Sequence, residues 1–254
     1  MKLFKIIKVY FKEVGIYAPL WVYLTFTGPF FNELINTGAF LERRFLKEKR
    51  KKKYSVPIFL IPGTLGGRGT LVILKKRLRK YFRDVFTFKP KRFELVGLEE
   101  NITRLNLFID TKMKMIKAQK LILIGHSQGG IIARRWMNIF DPQGKKTLAI
   151  ITLGSPHSGS WAPLLVLPFM WWARAVWQLI PPFTKNLNET PSIKRTISII
   201  GKYDLLLFSY PWKSKVKEEI ETEGAHLFYI YEKKIFYLIM SILKAYLDDL
   251  EKKR

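Results

Sequence analysis

Five residues carry the chemistry most visible in this chain: Gly125-His126-Ser127-Gln128-Gly129. A G-x-S-x-G run between an apolar strand, here LILI at 121–124, and a helix beginning near 129 is the context of a nucleophile elbow. A turn that sharp needs residues without side chains on either side of the serine, and Gly125, Gly129 and Gly130 meet that need. The hydroxyl is then presented at a helix N-terminus, where backbone N–H groups and the helix dipole favour developing negative charge. A serine hydroxyl is a weak nucleophile until a base takes its proton, and the base needs a carboxylate to orient it. The chain has three histidines, at 126, 157 and 226, and only His226 lies far downstream of the elbow. With the order nucleophile, acid, base, Asp204 is the expected acid: it follows the apolar run TISII and a Gly-Lys-Tyr turn. Asp84, Asp110 and Asp141 precede or closely follow the elbow and are set aside. The chemistry is attack on an ester carbonyl, with no metal or organic cofactor required.

The elements that must hold these residues are legible as an alternation. Apolar runs at 56–61, 85–88, 121–124, 148–153 and 197–200, with a further strand at 216–221, are separated by helical stretches at 71–81, 99–117 and 129–140. A closing helix carries Ile235, Ile239, Ile242, Leu243 and Tyr246 on one face. Such a pattern predicts an α/β fold with a mostly parallel central sheet and helices on both faces.

Strand-PGTLGG, then GHSQGG, then TLGSPHSGS resembles the α/β-hydrolase lipases, especially bacterial triacylglycerol lipases and inositol-deacylase-like proteins, over about residues 56–245. The resemblance implies an oxyanion hole from the backbone amides of Gln128 and of Thr64 or Leu65, although this chain has Pro62-Gly63 where such lipases carry His-Gly. It implies that Glu223-Gly224-Ala225-His226-Leu227 corresponds to the family's Gly-His-Leu ending. It also implies that His126 packs behind the elbow and that His157 lines the site entrance. The apolar stretch 161–183, with Trp161, Trp171, Trp172 and Trp177, resembles a lid within about 158–190; a loop this long and apolar must cover the site, insert into lipid, or both.

Composition bounds the partners. The chain has 254 residues, 48% of them hydrophobic and 15% aromatic, and a formal charge of +25. Such charge attracts nucleic acid or an anionic lipid surface, and the interleaving of basic with long aromatic and aliphatic stretches favours lipid over nucleic acid. Residues 1–13 read as a basic amphipathic helix. Residues 14–32 contain no charge and approach the roughly 20 residues of a spanning helix, although Pro19, Gly28 and Pro29 interrupt them. The run RRFLKEKRKKK at 43–53 reads as a polybasic linker. The expected organisation is a membrane-associating segment over 1–53 and a catalytic domain over 54–254. The expected activity is cleavage of carboxylic esters, in particular of lipids, by a membrane-associated lipase or esterase. A membrane-bound acyltransferase and a non-catalytic lipid-binding protein on the same scaffold are the alternatives. The absence of cysteine excludes disulfides and a thiol nucleophile.

Overall fold

The structure, a computed structural model, describes residues 54–63, 68–90, 97–160, 191–204, 215–224 and 228–252, with Gly15, Leu207 and His226 as single positions. The expected membrane segment over 1–53, Thr64, Leu65 and the apolar stretch with Trp161, Trp171, Trp172 and Trp177 lie outside the described residues. Among the described residues, no helix is long and apolar enough to cross a membrane.

The elements run β1 (Ile58–Ile61), α1 (Val72–Leu78), β2 (Val85–Thr87), α2 (Leu98–Ile116), β3 (Leu121–His126), α3 (Gln128–Phe140), β4 (Thr147–Leu153), β5 (Thr196–Gly201), β6 (Glu218–Thr222), α4 (Phe228–Tyr231) and α5 (Lys233–Lys252). Short 3-10 turns at Arg68–Leu71 and Pro191–Arg195 lead into α1 and β5. The six strands form one sheet in the order β2-β1-β3-β4-β5-β6, and every pair is parallel.

The interior strands are largely apolar and almost wholly buried because both faces of the sheet are covered. Ile58 and Leu60 of β1, with Ile122 and Ile124 of β3, enter a core made with Leu74 and Leu78 of α1 and Ile235, Ile239 and Leu243 of α5. Their neighbours Phe59, Ile61, Leu121 and Leu123 face the other way, onto Ile102, Leu105 and Ile109 of α2 and Ile131, Ile132 and Trp136 of α3. The period-2 geometry of a strand thus feeds two cores at once. Edge strand β6 differs: its glutamates 218, 219 and 221 are exposed, as suits an edge that must not pair with another chain.

Parallel strands all end at one edge of the sheet, and the chain reverses its direction of growth between β1 and β3. Open α/β sheets bind their ligands in the crevice at such a switch point. Here Ile61 pairs with Gly125, which sets Pro62-Gly63 beside the start of the elbow.

That closeness explains the glycines. A Cβ on Gly129 would overlap the carbonyl oxygen of Ile61 and lie 2.7 Å from that of Pro62. Both obstacles are backbone and cannot rotate away. Gly129→Ala is therefore expected to destabilise the protein by about 3 kcal/mol, read as a lower urea midpoint with an unchanged slope. A midpoint equal to wild type would mean that the end of β1 is free to move.

Candidate active site

Ser127 ends β3 and opens α3 with φ 52 and ψ −127. A serine in that region carries about 1–3 kcal/mol of strain. The surroundings hold it there: its N–H donates to Leu153 O at 2.8 Å, and Gly130 N–H donates to Ser127 O at 3.0 Å. Serine before a helix ordinarily caps it through the side chain, but Ser127 makes no side-chain cap bond. The hydroxyl is thus not spent on the helix. Across the crevice Gly63 packs against it, close enough that a Cβ there would sit 2.7 Å from Ser127 Cβ.

The expected acid and base meet. Asp204, 2% exposed, follows β5, and His226 lies between β6 and α4. His226 Nδ1–H donates to Asp204 Oδ2 at 2.9 Å. A carboxylate oxygen can only accept, so this bond fixes the proton on Nδ1 and leaves the lone pair on Nε2. Tyr229, which sequence reasoning does not single out, donates its hydroxyl to the same oxygen at 3.1 Å. In sequence an aromatic three residues after His226 reads as core, and nothing there signals a polar partner 25 positions upstream.

His126 sits between elbow and base. Its Nε2 lies 3.2 Å from His226 O, and the two rings are 5.0 Å apart between centroids. His226 is therefore packed on the residue that directly precedes Ser127. Burial, and secondarily the charge of His226, push His126 from the ordinary 6.5 down to about 3. The neutral ring donates from Nε2 to the His226 carbonyl.

His157, expected at the site entrance, is tied to β4. It has no solvent exposure, and its Nε2 bonds with Thr152 Oγ1 at 2.9 Å. The cause is local: Gly154 at φ +58 reverses the chain, and His157 N–H donates to Ser155 O at 2.9 Å, so residues 154–157 fold back onto β4. Burial, and then the nearby Arg134, hold His157 well below the usual histidine range.

Both buried histidines stay neutral in the folded chain at a pH where the unfolded chain takes up protons. Stability is thus complete above about pH 6.5 and is lost as pH falls toward 3. The His126 share at pH 5 is about 2 kcal/mol. Urea unfolding at pH 7 and 5 should show a drop in stability that is smaller by about that amount in His126→Gln; an equal drop in the variant would count against the assignment.

The acids set aside in sequence serve the scaffold. Asp141 accepts the N–H groups of Lys146 and Thr147 at the start of β4, Asp110 pairs with Lys146, and Asp84 pairs with Arg83. Gln128 opens α3, fully buried. Among the described residues no group of three or more His, Asp or Glu side chains could hold a metal ion.

The family model described as a PGAP1-like alpha/beta domain matches residues 90–180, which include the elbow. No curated protein matches the chain in sequence. Solved structures do match it. A Bacillus licheniformis lipase in its mature form is 17% identical, with 77% of this chain and 94% of that one covered at a TM-score of 0.62. A carboxylesterase structure from the thaumarchaeon Nitrososphaera gargenis is 15% identical, covers 79% and 94% of the two chains, and has a TM-score of 0.57. A soluble variant of the monoglyceride lipase from Saccharomyces cerevisiae, solved with a substrate analogue, is 14% identical, covers 80% and 89%, and has a TM-score of 0.56. At these identities the likeness is one of fold. The chain has the α/β-hydrolase fold of these lipases and esterases, and a PGAP1-like match runs across its elbow.

Proposed function

We propose that the protein is a serine hydrolase that cleaves carboxylic esters of lipids, with Ser127 as nucleophile, His226 as general base and Asp204 as the acid that orients it. One observation carries the reading. A serine held at positive φ with its hydroxyl unspent on the helix stands at the same sheet edge as a histidine whose Nδ1 is fixed by a buried carboxylate at 2.9 Å.

In this reading His226 Nε2 takes the Ser127 proton as Oγ bonds to the ester carbonyl carbon. The oxyanion is met by the backbone amide of Gln128, with Thr64 or Leu65 as the second donor. His226 then gives its proton to the departing alcohol. Water, activated by the same nitrogen, releases the acid and restores the serine.

The lipase neighbours and the +25 charge support a lipid substrate met at an anionic membrane surface. In that setting the protein is membrane-associated through residues 1–53, and Trp161, Trp171, Trp172 and Trp177 belong to a lid that covers the acyl chain. The test is fatty-acid release from glycerol esters in mixed anionic vesicles, beside labelling with a serine-reactive phosphonate. Release that depends on Ser127, with label on that residue, supports the reading. A folded protein that neither labels nor releases acid refutes it. An added alcohol acceptor reveals transacylation if ester product appears in place of free acid.

A further inference from the structure

Tyr229 is 1% exposed, and a buried phenol must find a hydrogen-bond partner. The partner is the oxygen of Asp204 that also receives His226. Both donors come from one short stretch, His226 and the start of α4, and the Tyr229 ring stands edge-on to the His226 ring at 6.5 Å and 88°.

Two strand ends make room for this ring. A Cβ on Gly154, directly after β4, would overlap the Tyr229 ring and lie 3.0 Å from Asp204 Oδ2. A Cβ on Gly201, the last residue of β5, would lie 2.7 Å from the Tyr229 hydroxyl. Each glycine has a second reason as well, the φ of +58 at Gly154 and the carbonyl oxygen of Gly224 against Gly201, and the phenol occupies the room that both leave.

We propose that Tyr229 is a positioning residue that fixes the Asp204 carboxylate and tempers its hold on the His226 proton; this rests on reading Ser127, His226 and Asp204 as the reacting set. Each donor a carboxylate loses leaves it freer to swing about its Cβ–Cγ bond, and the imidazole swings with it. Two donors on one oxygen, arriving from a loop and a helix, define its plane. The phenol also draws negative charge from Oδ2. Without it Oδ2 loses a donor, favours the imidazolium more strongly, and keeps His226 protonated to a higher pH. The polar and titratable groups seen against His226 include Asp204, Tyr229 and His126. His126 is neutral across the working range, so of these three the negative charge lies on Asp204, and Tyr229 hydrogen-bonds the oxygen that faces His226.

Tyr229→Phe keeps the ring and removes only the hydroxyl. On a soluble short-chain ester, kcat should fall about tenfold with KM within about twofold of wild type. The acidic limb of the kcat/KM profile should move to higher pH by about half a unit. In an Asp204→Ala background the same substitution should change kcat by less than about twofold, because the phenol then has nothing to position. An unmoved limb, or an equal fall in both backgrounds, would overturn the proposal and leave Tyr229 a packing residue. The limb is read on the single variant and does not depend on how Asp204→Ala folds. Activity that survives Ser127→Ala would instead sink the underlying reading, whatever Tyr229 does.

Discussion

Replacing Ser127 by alanine is expected to lower kcat on a soluble ester by a factor on the order of 10^4 to 10^6, with little change in KM or in thermal stability. The size follows from the role proposed for the hydroxyl: without it Ser127 can form no acyl-enzyme, and His226 and Asp204 have no nucleophile to activate. What survives is the activity of an oxyanion site acting on bound ester, about 10^3-fold over water in serine hydrolases. Stability should hold because Ser127 makes no side-chain bond to cap α3. The strain at φ 52 belongs to the backbone and persists in alanine. Steady-state kinetics with a p-nitrophenyl ester and a thermal melt check both halves. A variant with wild-type turnover would remove Ser127 from the chemistry and leave the glycine-rich turn as a structural joint between β3 and α3.

Much of this arrangement is legible in sequence for a physical reason. An interior parallel strand is apolar on both faces, so LILI at 121–124 and the run at 148–153 stand out as continuous hydrophobic segments, and β3 and β4 are found close to their expected bounds. Helix α2, expected over 99–117, spans Leu98–Ile116 because its stripe of Ile102, Leu105, Ile109 and Met113 keeps a helical period. Legibility fades where burial fades. Strand β6, expected over 216–221, runs Glu218–Thr222, since an exposed edge of glutamates carries little hydrophobic pattern to fix its ends. In α5 the fully buried seam runs through Ile235, Phe236, Ile239, Leu243 and Leu247, with Ile242 partly buried against the same core and Tyr246 at its margin. The Tyr246 hydroxyl instead accepts from Lys217 Nζ at 3.0 Å. Side-chain pairing between distant segments is least legible. Chain order suggested Asp204 with His226, but the burial of His157 depends on one left-handed glycine, and the phenol on Asp204 depends on two strand ends meeting a helix.

Asp204→Asn isolates the charge of the acid from its shape, and it is expected to lower kcat by about 10^4-fold. Asparagine is nearly the same size, so the buried site stays filled and KM should change little. Two outcomes are open to the amide, and both are slow. If its oxygen takes the Oδ2 position, it still accepts from His226 Nδ1 and from Tyr229, so the tautomer is right; the imidazolium formed in the transition state then has no negative partner. If the amide turns over, its NH2 must face two donors. Tyr229 can rotate its hydroxyl away, but His226 can accept only by moving its proton to Nε2, and a protonated Nε2 cannot take the serine proton. The Tyr229 bond favours the first orientation, so adding Tyr229→Phe should release the amide to turn and lower the residual rate further. That is the opposite of the alanine background, where the hydroxyl has nothing left to hold. Burst kinetics on the single and double variants read this directly, since acylation slows while the affinity for ester does not. An Asp204→Asn enzyme at wild-type speed would mean that the buried carboxylate serves the turn after β5 and that His226 is oriented by its packing on His126 alone.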